Sequence, residues 1–114
     1  MKRLFIHFLN DILNETINIR NFLKGVKFND FIQNDEKIYA VCRSFEIIGE
    51  ASKQIPKEIQ DKFNDLNWSD MAKMRDKLIH YYYVADERII WNTAKKDIPV
   101  LRKKIKIMIE KLEE

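Results

Sequence analysis

The sequence predicts an all-α fold, an up-and-down bundle of four principal helices with short helical pieces between them, and three observations carry that reading. Only 2 glycines and 2 prolines occur among 114 residues, so sharp turns are few and long helices are the economical use of the chain. Apolar residues recur at about 100° per residue along most of its length, the period of a helix face. Capping residues, among them Asn34, Ser69, Asp86 and Asp97, stand ahead of the periodic stretches.

In the opening segment Phe5, Phe8, Leu9, Ile12, Thr16, Ile19 and Leu23 form one stripe, which predicts an amphipathic helix of about six turns ended by Gly25. Lys27 to Asn34 has capping residues but little period and reads as a connection with Phe28 and Phe31 tucked inward. In the second helix Ile38, Val41, Cys42, Phe45, Ile48, Gly49 and Ser52 share a face, with Pro56 as the stop. Gly49 sits mid-stripe, where close packing of a neighbouring helix is its expected use.

Lys57 to Phe63 adds one short helix before a loop at Asn64 to Asn67. Ser69 is then the expected N-cap of a third long helix, with Trp68 before it and Met71, Met74, Leu78 and Tyr82 along one side. Asp86 caps a helix carrying Ile89, Ile90 and Trp91. Asp97 and Pro99 look like the cap and first-turn proline of a last helix striped by Ile98, Leu101, Ile105, Met108, Ile109 and Leu112. Loops this short favour antiparallel neighbours.

At 46% hydrophobic and 34% charged the composition is globular, and residues 1–114 fit one domain with no repeat or linker. A core this small gives modest stability, so a second subunit would add useful apolar burial. Cys42 cannot form an internal disulfide because it is the single cysteine; it reads as a small buried hydrophobe in a reducing compartment. No export signal survives the polar residues His7, Asn10 and Asp11, and no apolar run approaches the ~20 residues that cross a bilayer. A cytoplasmic protein without membrane association is expected. The net charge of +3 neither demands nor excludes nucleic acid.

Candidate chemistry is scarce. No Gly-rich phosphate loop, paired-cysteine zinc spacing or His-Glu-x-x-His motif occurs, so neither metal nor cofactor is expected. His7 lies among apolar residues and reads as structural. His80 differs, because Asp76 precedes it by four residues on a helix and can hold one imidazole nitrogen, fixing its tautomer. Arg75 falls on the stripe of Met71, Leu78 and Tyr82, where a permanent charge calls for an anionic partner. A phosphate is one such partner and a structural carboxylate such as Glu46 is another. Arg75 and His80 are about 140° apart around the helix, so one copy makes a poor site, whereas two copies across a twofold axis can build one cleft. From the pattern alone, a surface ion-pair reading stands level with a functional one.

The segment Arg75, four residues, His80, Tyr81, Tyr82 resembles the R-x4-H-x-Y motif of the HepT family, the toxin half of HepT/MNT toxin-antitoxin pairs within the HEPN superfamily of helical ribonucleases. Phe45 to Lys53 looks like the family's second-helix signature, and Val84 to Trp91 followed by Asp97-Ile98-Pro99 looks like its closing helices. The resemblance implies a homodimer that cuts RNA without metal, with Arg75 and His80 catalytic and Asp76 in support. It also implies an MNT-type nucleotidyltransferase antitoxin that attaches AMP to Tyr82. The rival is a helical dimer that only binds a nucleotidyltransferase or nucleotide through the same residues. The basic run Arg102-Lys103-Lys104 with Lys106, and the pair Lys95-Lys96, read as solvated helix faces more than as an RNA path. Trp68 and Trp91 read as core residues rather than base-stacking platforms.

Overall fold

The computed structural model describes the backbone of residues 4–81 and 86–114, and the side chains of 4–74 and 86–114. Helix α1 (Leu4–Leu23) is followed by a single turn, α2 (Phe28–Phe31), then α3 (Asp35–Lys53), a short α4 (Lys57–Lys62) and α5 (Trp68–Tyr81). The chain closes with α6 (Glu87–Asn92), a π-helical segment at Thr93–Asp97, and α7 (Ile98–Glu113). The described residues contain no strand, as the spacing of apolar residues predicts.

The stripe of α1 is buried through Leu9, Ile12, Thr16, Ile19 and Leu23. Beyond it Gly25 takes φ +73, a left-handed turn that glycine adopts at little cost and that ends the helix. Asn34 caps α3 by accepting a hydrogen bond from the Lys37 N–H. Two contacts then fix α3 antiparallel to α1: Lys37 Nζ donates to the Phe22 carbonyl, and Ser44 Oγ donates to Glu15 Oε1. The residue numbers rise on one helix as they fall on the other.

Helix α7 lies against the other side of α1, and Arg102 Nη1 reaches the Thr16 carbonyl at 3.4 Å. Helix α5 packs on α3. Between these elements Phe31, Val41, Ile48, Ile98, Ile105 and Met108 are fully enclosed. At about 25 cal/mol per Å² of apolar surface, such side chains each contribute roughly 1.5–3 kcal/mol. The buried polar residues Thr16, Ser44 and Ser52 all have partners, and the described residues leave no buried side-chain nitrogen or oxygen unpaired.

Two local expectations need correction. Helix α5 starts two residues earlier than predicted: Asn67 is its cap and Ser69 lies inside the first turn. The last helix has no fresh start at Asp97, whose φ of −83 and ψ of −39 are helical and whose side chain makes no capping bond. Instead α6 runs into α7 through the π segment, in which the Ile98 N–H donates to the carbonyl of Thr93, five residues back. The cause is Pro99. It has no N–H for the Lys95 carbonyl and its ring would crowd that oxygen, so the helix widens by one residue ahead of it.

Candidate active site

Helix α5 carries the motif, and its start is anchored firmly. Asn67 Oδ1 accepts from the Asp70 N–H at 3.1 Å while Asn67 Nδ2 donates to Asp70 Oδ2 at 2.9 Å. This is a reciprocal cap that also sets an acidic residue in the first turn, where the helix dipole favours it. Trp68 Nε1 donates to the Phe63 carbonyl at 3.1 Å, and Met71 is buried with Met74 half-buried behind it.

Arg75, Asp76 and His80 all fall on this one helix, which continues through Tyr81. Asp76 and His80 therefore occupy adjacent positions one turn apart, and Arg75 and His80 keep their separation of about 140° around the axis. Tyr82 lies outside the described residues.

Helix α3, on which α5 packs, supplies the surroundings that are described. Glu46 forms an ion pair with Arg43 at 3.1 Å, between side chains 41% and 68% exposed. Such a pair contributes at most about 1 kcal/mol. Burial, with Glu46 adding repulsion, pushes the Cys42 thiol from an ordinary 9.0 up to about 11. It is protonated near neutrality and is no nucleophile there, in line with its place as a small hydrophobe at the core edge. His7 is exposed on α1 and fills no core position, contrary to the structural role expected of it.

Both tryptophans serve packing. Trp68 is 9% exposed, and the Trp91 ring lies 5.3 Å from that of Phe31 and 5.9 Å from that of Phe28. The basic run of α7 is not one solvated face. Lys103 and Lys106 are exposed, but Lys104 Nζ donates to the Asp65 carbonyl at 2.8 Å and Arg102 is half-buried against α1. Among the described residues no group of three or more His, Cys, Asp or Glu is placed to hold a metal ion, and no helix is long and apolar enough to cross a membrane.

With this geometry in place, comparison with known proteins decides the family. The model of the family described as "Ribonuclease HepT-like" matches residues 12–108, a span that includes all of α5. The chain belongs to the HepT-like ribonuclease family. It is 45% identical over 107 residues to "Putative RNase MJ0125" of Methanocaldococcus jannaschii, covering 94% of this chain and 92% of that one. It is 43% identical over 104 residues to "Probable ribonuclease HepT" of Thermococcus cleftensis, covering 91% and 94%. A third relative, "Putative RNase TTE0752" of Caldanaerobacter subterraneus subsp. tengcongensis, is also 43% identical over 104 residues, with 91% and 93% covered. No solved structure matches the chain.

The sequence pattern did not single out Arg20 and Lys24, whose surroundings are made by tertiary packing. Arg20 and Lys24, at the end of α1, line a groove together with Lys95 and Arg102. The one sequence signal was their spacing: like charges four residues apart repel on a helix and call for a reason.

Proposed function

We propose that this HepT-like chain is a metal-independent endoribonuclease and the toxin of a type VII HepT/MNT pair, acting in the cytoplasm. The observation that carries the reading is the family match across residues 12–108 together with Arg75 and His80 at the R-x4-H spacing on one continuous helix. His80 takes the proton from a ribose 2′-hydroxyl, whose oxygen attacks phosphorus, or delivers a proton to the departing 5′-oxygen. Arg75 holds the negative charge that builds on the phosphoryl oxygens. Dependence on the 2′-hydroxyl separates RNA from DNA.

Asp76, one turn before His80, orients the imidazole. Two subunits facing each other through α5 bring both arginines and both histidines to one cleft, which answers the 140° divergence within a single copy. Tyr82 is the position at which the nucleotidyltransferase partner attaches AMP and silences the enzyme.

The test is cleavage of a mixed RNA population by the purified protein in excess EDTA. Activity is expected in the wild type and absent in Arg75→Ala and His80→Ala, with Asp76→Asn reduced less. Loss of activity on chelation, or full activity in His80→Ala, would overturn the mechanism.

A further inference from the structure

The α1–α7 side of the molecule carries a feature the motif does not use. The end of α1 and the rod formed by α6, the π segment and α7 enclose a groove of about 430 Å³. Its charged lining is Arg20 and Lys24 from one wall and Lys95 and Arg102 from the other, and among the described residues no carboxylate lines it. Among the described residues none of the four forms an ion pair.

Four positive charges thus face one space. The C-terminal end of α1, which closes one end of the groove, carries the equivalent of roughly half an elementary negative charge, far short of four. Arg102, held by burial against α1, has its pKa drawn down first by that desolvation and then by the charge of Arg20. Arg102 donates one hydrogen bond to the Thr16 carbonyl, which fixes its guanidinium at the groove wall. Lys95 is steadied over the Trp91 ring at 5.1 Å. At the mouth, Gly25 has open space where a side chain would stand.

We propose that this groove is a phosphate-binding exosite that holds the backbone of the RNA substrate, on the α1–α7 side of the molecule, where none of the described residues of α5 lines it. The proposal rests on the ribonuclease reading above. RNA is the favoured occupant because it brings one negative charge per nucleotide, matching a row of cations without sequence demands. Two walls of mixed arginine and lysine suit phosphate oxygens as well: Arg20 and Arg102 present planar donor forks, Lys24 and Lys95 mobile point charges. The volume exceeds by far the about 30 Å³ share of one water, which leaves room for more than one phosphate.

The experiment measures binding of a fluorescent single-stranded RNA by anisotropy across a salt series, in a His80→Ala parent that does not degrade the probe. In that parent Arg20→Gln with Lys95→Gln is expected to weaken binding roughly tenfold or more. It should also flatten the plot of log affinity against log salt by about 1.4, at about 0.7 per phosphate contact on a single strand. Arg20→Lys with Lys95→Arg should keep parental affinity. Removing two distant charges, Lys62→Gln with Lys111→Gln, should also leave it unchanged, and circular dichroism confirms the fold of each variant.

Parental affinity and slope in the Arg20→Gln, Lys95→Gln protein would overturn the exosite and leave the groove to an acidic protein partner. An equal loss in the Lys62, Lys111 control would overturn it too, by showing diffuse charge attraction. A parent that binds no RNA at all would take down the ribonuclease reading itself, a failure distinct from either.

Discussion

Lys37 Nζ donates to the Phe22 carbonyl at 2.9 Å, so the first turn of α3 satisfies one of the last carbonyls of α1. Those carbonyls have no partner within their own helix, and a cation at that end also meets the negative pole of the helix dipole. Lys37→Met is expected to destabilise the protein by about 1 kcal/mol, the net contribution of a typical intramolecular hydrogen bond. Thermal unfolding checks this, and a midpoint lowered by about 4 °C is the expected result.

Cys42 offers a pH test. Its thiol ionises near 11 in the folded chain and near 9.0 when exposed, so between those values the unfolded state releases its proton first. Fewer protons bound in the unfolded state means that stability falls as pH rises through this window. The fall should be smaller in Cys42→Ala than in the wild type when urea midpoints are compared at pH 8 and pH 10. A thiol-specific reagent at pH 8 should react slowly with the folded protein and quickly in denaturant.

Tyr82→Phe is expected to retain RNA cleavage and to escape neutralisation by the nucleotidyltransferase partner. Nucleotide attached there sets anionic phosphate on the stretch that carries Arg75, so inhibition is electrostatic as well as steric. Intact mass after incubation with partner and ATP reads the outcome. AMP-sized increments on the wild type that persist in Tyr82→Phe would show that another residue is modified.

A homodimer is expected in solution, with light scattering giving twice the 13.8 kDa chain mass. The divergent positions of Arg75 and His80 on α5 and the small core both ask for a second copy. A mass that stays monomeric at high micromolar concentration would remove the composite cleft.

The long helices were legible because their evidence is local and repeated: the stripes of α1, α3 and α7 supply most of the buried residues of those helices, with Ser44 and Ala51 of α3 buried beyond its stripe. Single-residue events were less so. Ser69 has the chemistry of a cap, yet Asn67 takes the role because Trp68 is pulled into the helix by burial and by its bond to Phe63. Asp97 before Pro99 reads as a new start, but Ala94 and Ile98 are both buried and hold the backbone helical through the junction. For the motif, sequence supplied the order and spacing on α5, while what Arg75 and His80 touch depends on neighbours that spacing does not encode. Arg20 and Arg102 lie far apart in the chain, and only the antiparallel packing of α1 and α7 sets them on one groove.

The π segment makes α6 and α7 a single crankshaft. Ile90, Ala94, Ile98 and Leu101 stay buried along it, although α6 lies against α2 and α3 whereas α7 lies against α1. One residue more or less in a helix turns everything beyond it by about 100°, so the extra residue at Thr93–Asp97 acts as a phase adjuster between two differently oriented seats. Deleting a single residue there would leave the rod helical but mistimed: with α7 seated, Trp91 would swing off the Phe31 ring, and with Trp91 seated, Arg102 would rotate out of the groove.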